Sequence, residues 1–341
     1  MQGSRGAPLA PLTTLRLGGP AARLVAATTA AEIVDAVRAA GDELLLVGGG
    51  SNLVVADAGW PGTVVLIRSR GVTVADDVVV AEAGEPWDEL VARTVAEGRS
   101  GLECLAGIPG LAGATPVQNV GAYGQEVADT VVRVDAYDRQ VGEVRTLGPE
   151  DCRFGYRDSL FRHTDRWVVL RVAFALSRTG KAGPVRYAEL ARTLGVQLGE
   201  VAPLADVRSA VLDLRRSKGM VLDPADRDTW SVGSFFTNPV LTPAELAGFE
   251  ARTGGPYPSW PVGGSGLTKL SAAWLIERAG FGRGYGGESV RVSGKHTLAL
   301  THRGGGTTAG LVALAREIRD GVRDRFAVEL RPEPRLVGVT L

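Results

Sequence analysis

The chain of 341 residues holds only two cysteines, Cys104 and Cys152, in unrelated contexts. That excludes a disulfide framework and a cysteine-built zinc site, and it suits a reducing compartment. Three histidines occur, His163, His296 and His302, and none has metal-ligand spacing, so no metal is expected. The formal net charge is zero, which removes any long-range attraction to nucleic acid or an anionic membrane. Lysine is rare beside arginine, so an anionic ligand must be held by a few local groups. The first residues, with Arg5, Gly6 and Pro8, lack the basic start and apolar run of a signal peptide. No apolar stretch approaches the roughly 20 residues that span a bilayer. A soluble, cytoplasmic protein is expected, with small-molecule ligands and no obligate protein partner.

The chain is long enough for two or three domains, and its 45% hydrophobic and 22% charged content are ordinary for a globular protein. Thr29-Ala30-Ala31-Glu32 has the pattern of a capping box, and Ile33, Val34 and Val37 continue at helical spacing. Leu44-Leu45-Leu46-Val47 and Val64-Val65-Leu66-Ile67 read as buried strands, so the opening section is a small β-α-β-type domain. From about residue 72 short β-rich runs take over, at Val78–Val80, Val131–Val134 and Trp167–Leu170, with one amphipathic helix from Trp87 that ends at Gly98. A further helix begins near Leu204 and ends near Lys218-Gly219. The polar stretch Asp223–Asp228 marks a boundary. Beyond it lie a helix opened by Thr242-Pro243-Ala244-Glu245, another around Trp274, strand candidates at Ser289–Ser293 and Thr297–Thr301, and a long helix from about Thr308 to Arg325. A last strand, Val328–Leu330, returns to an earlier domain. The domains expected are 1–71 plus 326–341, 72–222 and 223–325, in an α+β fold.

Gly48-Gly49-Gly50-Ser51-Asn52 follows a strand directly and serves equally as a turn or as an anion cradle, since glycines let backbone N–H groups approach closely. It is neither a P-loop, lacking the Lys-Ser/Thr pair, nor a Rossmann loop, since Leu53 stands where the third glycine belongs. The segment from Gly107-Ile108-Pro109-Gly110 to Gln118-Asn119-Val120-Gly121-Ala122-Tyr123-Gly124 is too long and apolar for a simple turn. It suits a wall against a flat, polar-edged ligand. Arg157, in Phe154-Gly155-Tyr156-Arg157-Asp158-Ser159, reads first from local sequence as half of an Arg–Asp pair. Ser234, before Phe235 and Phe236, reads first as a packing serine, with no nucleophile elbow around it. The two prolines of Arg331-Pro332-Glu333-Pro334-Arg335 lock an extended backbone and turn the three charged residues to one face. That is either a solvated charge trio or a rigid mount for a catalytic Glu333.

Taken together and in order, these motifs resemble the UDP-N-acetylenolpyruvoylglucosamine reductase (MurB) family, from about Thr13 to Gly338 and in its longer, type I form. The combination is highly specific, although each motif alone is weak. The resemblance implies a vanillyl-alcohol-oxidase (PCMH)-type FAD-binding fold of two subdomains with a separate α+β substrate-binding domain. It implies FAD as cofactor, NADPH as electron donor, and reduction of an enolpyruvyl ether to a lactyl ether on a UDP-sugar. The nearest alternative is an FAD enzyme of the same fold acting on a sugar lactone or alcohol. Carried over by motif, Gly48, Gly49, Gly50, Ser51, Asn52 and Leu53 hold FAD, together with Ile108, Pro109, Gly110, Gln118, Asn119, Gly121, Tyr123 and Gly124. Arg215 resembles the family arginine at the flavin pyrimidine edge. Lys218 and Asn238 resemble the diphosphate ligands, and Tyr187, His296 and Arg335 further substrate contacts. Arg157, Ser234 and Glu333 resemble the catalytic set: a carboxylate-gripping cation, a proton donor to C2 and a polarising group beside the arginine. Thr237, where many members have lysine, and Val232, where alanine is usual, depart from the pattern.

Overall fold

The apolar run at residue 44 forms the strand Leu44–Val47, which pairs in parallel with Trp60–Ile67, Leu44 opposite Thr63 and Val47 opposite Leu66. In the computed structural model, which describes residues 3–341, these strands belong to the first of two compact units. That unit comprises residues 1–7, 21–49 and 61–221; the second comprises residues 8–20, 50–60 and 222–341.

In the first unit Leu44–Val47 and Trp60–Ile67 belong to a four-stranded sheet, with Ser4–Pro8 at the far edge and Pro20–Ala27 second. The helix Ala30–Ala40 leads into Leu44–Val47, and Ile33, Val34, Ala36 and Val37 bury its apolar face. Thr29 caps it by accepting from the N–H of Glu32, as the sequence pattern requires. Glu32, however, reaches back to the N–H and hydroxyl of Thr28, both at 2.7 Å, instead of closing the box on Thr29. A five-stranded antiparallel sheet follows, ordered Glu143–Leu147, Val131–Asp138, Trp167–Ala175, Val78–Glu82, Val72–Ala75. The helices Trp87–Ala96, Ala188–Leu194 and Leu204–Ser217 share its core, in which Trp87 is fully buried and donates its indole N–H to the Leu105 carbonyl at 3.0 Å.

The second unit is built on a core of Phe235, Phe236, Phe249, Leu275, Ile318 and Phe326 among others. Its 19-residue helix Thr308–Phe326 buries Leu311, Ala315, Ile318 and Val322 on one stripe. The carboxylate of Asp57 accepts the N–H groups of Thr308 and Ala309 at 2.8 and 2.9 Å, satisfying donors that a helix start leaves open. The helix Pro243–Thr253 carries the full capping box between Thr242 and Glu245. Two strand expectations shift. The pair Val290–Val292 and Leu300–His302 forms, but its second strand starts late because Thr297 lies in the connecting turn, its hydroxyl at the Glu277 carboxylate. Val328–Leu330 makes no ladder, although Val328 and Leu330 are buried; the terminal strand is Arg335–Val337, parallel to Leu53–Val55. Apolar alternation in 328–330 therefore reflects burial and not sheet pairing. Among the described residues no helix is long and apolar enough to cross a membrane.

Candidate active site

The two glycine-rich segments meet in the first unit. A Cβ added to Gly49 would lie 2.8 Å from the Gly110 Cα, and one on Gly48 would press on the Leu111 side chain at 3.3 Å. Gly49 has no room for a side chain where the loops touch. The Gly48 carbonyl accepts from Arg68 Nη1 at 3.0 Å, and the Gly110 carbonyl from the Trp87 N–H at 3.1 Å. Gly107, with φ 70°, donates its N–H to Asp88 Oδ1 at 2.7 Å, and Arg208 holds the same carboxylate at 3.0 Å.

The Gln118–Gly124 loop folds around Asn119, which is 1% exposed. Its Nδ2 donates to Glu126 Oε2 at 2.7 Å and to the Gly155 carbonyl at 3.0 Å, while Oδ1 accepts from the Ala128 N–H at 3.1 Å. The Asn119 side chain thus holds the loop itself together. Arg157 sits at the third position of a turn closed by the Asp158 N–H on the Gly155 carbonyl at 3.2 Å. Its φ is 53°, a left-handed conformation that favours glycine, and Asn119 (45°) and Tyr123 (50°) share it. Each such residue stores on the order of 1 kcal/mol or more, sustained only where the surroundings over-determine it. Here they do. Arg157 Nη2 donates to the Gly121 carbonyl at 2.7 Å and Nη1 to the Asn119 carbonyl at 3.4 Å, with Glu126 Oε1 at 4.0 Å. The Arg162 guanidinium donates to the Arg157 carbonyl. A Cβ on Gly121 would come within 3.0 Å of Arg157 Nη1, so glycine there makes room for the guanidinium.

A second cluster of this unit joins Tyr123, Tyr187, Lys218 and Arg215. The rings of Tyr123 and Tyr187 meet edge to face, 5.4 Å apart, and Lys218 Nζ lies 5.7 Å from the Tyr123 ring centre. Burial pushes the Tyr123 hydroxyl up to about 12. Arg215 donates through Nη2 to the Met220 carbonyl at 2.8 Å, while its Nε is shielded from solvent and has no partner. Burial lowers its pKa to about 10, which still leaves it charged at neutral pH. The thiols of Cys104 and Cys152 are pushed up to about 12 and about 11 by burial, so neither is a nucleophile.

In the second unit the segment Ser234–Thr237 runs between two others. The Phe235 N–H donates to the Leu298 carbonyl at 2.7 Å, and Ser234 bridges Ala299. On the other side Phe236 bridges Pro332, and the Glu333 N–H donates to the Phe235 carbonyl at 2.9 Å. Ser234 and Glu333, 99 residues apart in sequence, are therefore brought to neighbouring positions of adjacent segments. Asn52 joins them: its Nδ2 donates to the Glu333 carbonyl at 3.4 Å and its own carbonyl accepts from the Arg335 N–H at 2.9 Å. The stretch 331–335 is not extended throughout as expected: the chain bends at Pro334, passing from a bridge with Phe236 to the strand beside Leu53. Asn238 Oδ1 accepts from the Ala272 N–H at 2.9 Å at a helix start, and the His296 carbonyl accepts from the Ala299 N–H at 3.1 Å. Glu126, Arg162 and Glu189 were missed from sequence. Arg162 and Glu126 act on residues only five and seven positions away, but through turns that no local pattern announces, and the partner of Glu189 lies 29 residues on.

Comparison with known proteins shows that the chain is a flavin-binding protein. The FAD binding domain family matches residues 21–148, and the C-terminal domain of UDP-N-acetylenolpyruvoylglucosamine reductase matches residues 223–337. The chain is 59% identical to the UDP-N-acetylenolpyruvoylglucosamine reductase of Salinispora arenicola, over 96% of this chain and 94% of that one. It is 56% identical to that of Thermobifida fusca, over 99% of each. The crystal structure of the Thermus caldophilus enzyme has the same fold, at a TM-score of 0.68 and 24% identity over 99% of both chains. The chain belongs to the UDP-N-acetylenolpyruvoylglucosamine reductase (MurB) family.

Proposed function

We propose that the protein is an FAD-dependent oxidoreductase that reduces UDP-N-acetylglucosamine enolpyruvate to UDP-N-acetylmuramate with NADPH, a cytoplasmic step of peptidoglycan precursor synthesis. The observation that carries this reading is the 59% identity to a reductase of that name over 96% of the chain. The sugar-oxidising alternative falls away on the same observation.

The residues present fit FAD. The shielded, unpartnered Nε of Arg215 is a donor that a flavin acceptor would satisfy, and glycine-rich loops are suited to offering backbone N–H groups to a diphosphate. Residues 48–53 and 108–124 would hold the cofactor, within subdomains 1–71 plus 326–341 and 72–222, while 223–325 takes the UDP-sugar. Bound FAD supplies the relay of electrons from NADPH to the enolpyruvyl double bond.

Arg157 grips the substrate carboxylate. Its guanidinium stabilises the negative charge that develops there as the double bond is reduced. Ser234 Oγ holds the proton that C2 receives, and Glu333, on a segment hydrogen-bonded to Phe235, orients the reacting group. Tyr187, Lys218, Asn238, His296 and Arg335 bind the UDP-sugar. With Oδ1 of Asn238 already engaged, its Nδ2 is the group that offers a donor. The test is direct: the purified protein is yellow, releases FAD on denaturation and, without oxygen, oxidises NADPH beyond the one equivalent that reduces the flavin only when the enolpyruvate substrate is added. Continuous anaerobic NADPH oxidation without the substrate, or a protein that cannot be loaded with FAD, would overturn the reading.

A further inference from the structure

Lys218 does not wait alone for an anion. Its Nζ donates to Glu189 Oε2 at 2.6 Å, and the two side chains are 28% and 34% exposed. The two residues are fixed independently. Lys218 caps the end of the helix Leu204–Ser217, its N–H donating to the Arg215 carbonyl at 3.1 Å. Glu189 lies in the first turn of the helix Ala188–Leu194, where the helix dipole favours a carboxylate. Tyr123 lies against the same ammonium, and Tyr187 packs edge-on against Tyr123. An ammonium offers three donors, and the one on Glu189 points at an oxygen anion of the kind a phosphate would present.

We infer that Glu189 is an internal competitor for the anion subsite of Lys218, a residue that sets how tightly a diphosphate is held. This rests on the reading of Lys218 as a diphosphate ligand. With no ligand the carboxylate keeps the ammonium oriented over the Tyr123 ring. A nucleoside diphosphate group binds by taking that donor from Glu189, and it meets the repulsion of the carboxylate as it does so. The same competition weakens the hold on substrate and product alike, so it favours turnover at the cost of affinity. An ion pair about a third exposed is worth little on its own, which places the effect at about two- to fivefold in binding.

The test is a double-mutant cycle on the FAD-loaded protein, with dissociation constants for UDP, inorganic pyrophosphate and uridine measured by calorimetry. Glu189→Gln tightens UDP and pyrophosphate about two- to fivefold and leaves uridine unchanged. In a Lys218→Met background the same substitution gives no gain. Unchanged or weaker binding in Glu189→Gln overturns the inference, and so does a gain that persists without Lys218, which would mark a general charge effect. If Lys218→Met alone leaves UDP affinity unaltered, it is the assignment of Lys218 as a diphosphate ligand that fails. Should Glu189→Gln not fold, Glu189→Asp, which lengthens the ion pair, is expected to tighten binding in the same direction.

Discussion

The Glu333 N–H donates to the Phe235 carbonyl at 2.9 Å. With the Thr237 N–H on the Arg331 carbonyl at 3.1 Å, this backbone bond ties the proline-flanked segment near the C-terminus to the segment that carries Ser234. Its consequence is that the register of Ser234 and Glu333 is set by main chain, where side-chain motion cannot loosen it. Phe235 and Phe236, 0% and 1% exposed, anchor that register in the core of the second unit.

Arg157 is held by its backbone as well as by its guanidinium. Arg162→Met removes the donor on the Arg157 carbonyl and lets the turn relax from its left-handed conformation. We expect kcat/KM for the enolpyruvate to fall about tenfold, roughly 1.4 kcal/mol of transition-state stabilisation. Flavin content should be unchanged and Arg162→Lys should recover most of the activity. Steady-state kinetics on the three proteins checks this; equal activity in all three would remove Arg162 from the account.

Gly49→Ala drives a methyl group to 2.8 Å from the Gly110 Cα, a backbone atom that cannot swing away. One loop must move. The expected outcome is a loss of about 1–3 kcal/mol of stability with weakened FAD retention. Thermal melts that follow flavin fluorescence report both quantities. An unchanged melting point with full flavin would mean that the loops do not meet as described.

His302 supplies a pH dependence. Burial lowers its pKa below the ordinary value of 6.5, and its Nε2 accepts from the Gly306 N–H at 3.2 Å, which requires the neutral ring. The unfolded chain therefore binds this proton more readily than the folded one. The stabilising contribution is complete above about pH 6.5 and is lost as pH falls toward the lowered folded value. His302→Gln, which keeps an acceptor but cannot titrate, should show a flatter stability profile as pH falls below about 6.5. Denaturant midpoints across that range decide it, and identical slopes would exclude His302 as the source.

Much of this was legible in advance, and the exceptions have physical causes. The helix starts at Thr29 and Thr242 were readable because a capping pattern is local. The glycine-rich loops were readable because glycine marks close backbone approach. The strand at Arg335–Val337 was not, since its partner Leu53–Val55 is nearly 300 residues away and nothing in three residues announces a ladder. The left-handed turns at Asn119, Tyr123 and Arg157 were hidden too, because non-glycine residues occupy positions that only tertiary contacts impose. Glu189 stood beside the recognised Tyr187 and still went unread. An ion pair with Lys218, 29 residues on, leaves no local trace.

The most direct test follows the two half-reactions separately in Ser234→Ala, under anaerobic conditions with rapid mixing. Flavin reduction by NADPH should proceed at the wild-type rate, while reoxidation by the enolpyruvate substrate should slow by about 10²–10⁴-fold, the value of a positioned general acid. Loss of both half-reactions to the same degree, or reoxidation as fast as in the wild type, would contradict Ser234 as the group that delivers the proton.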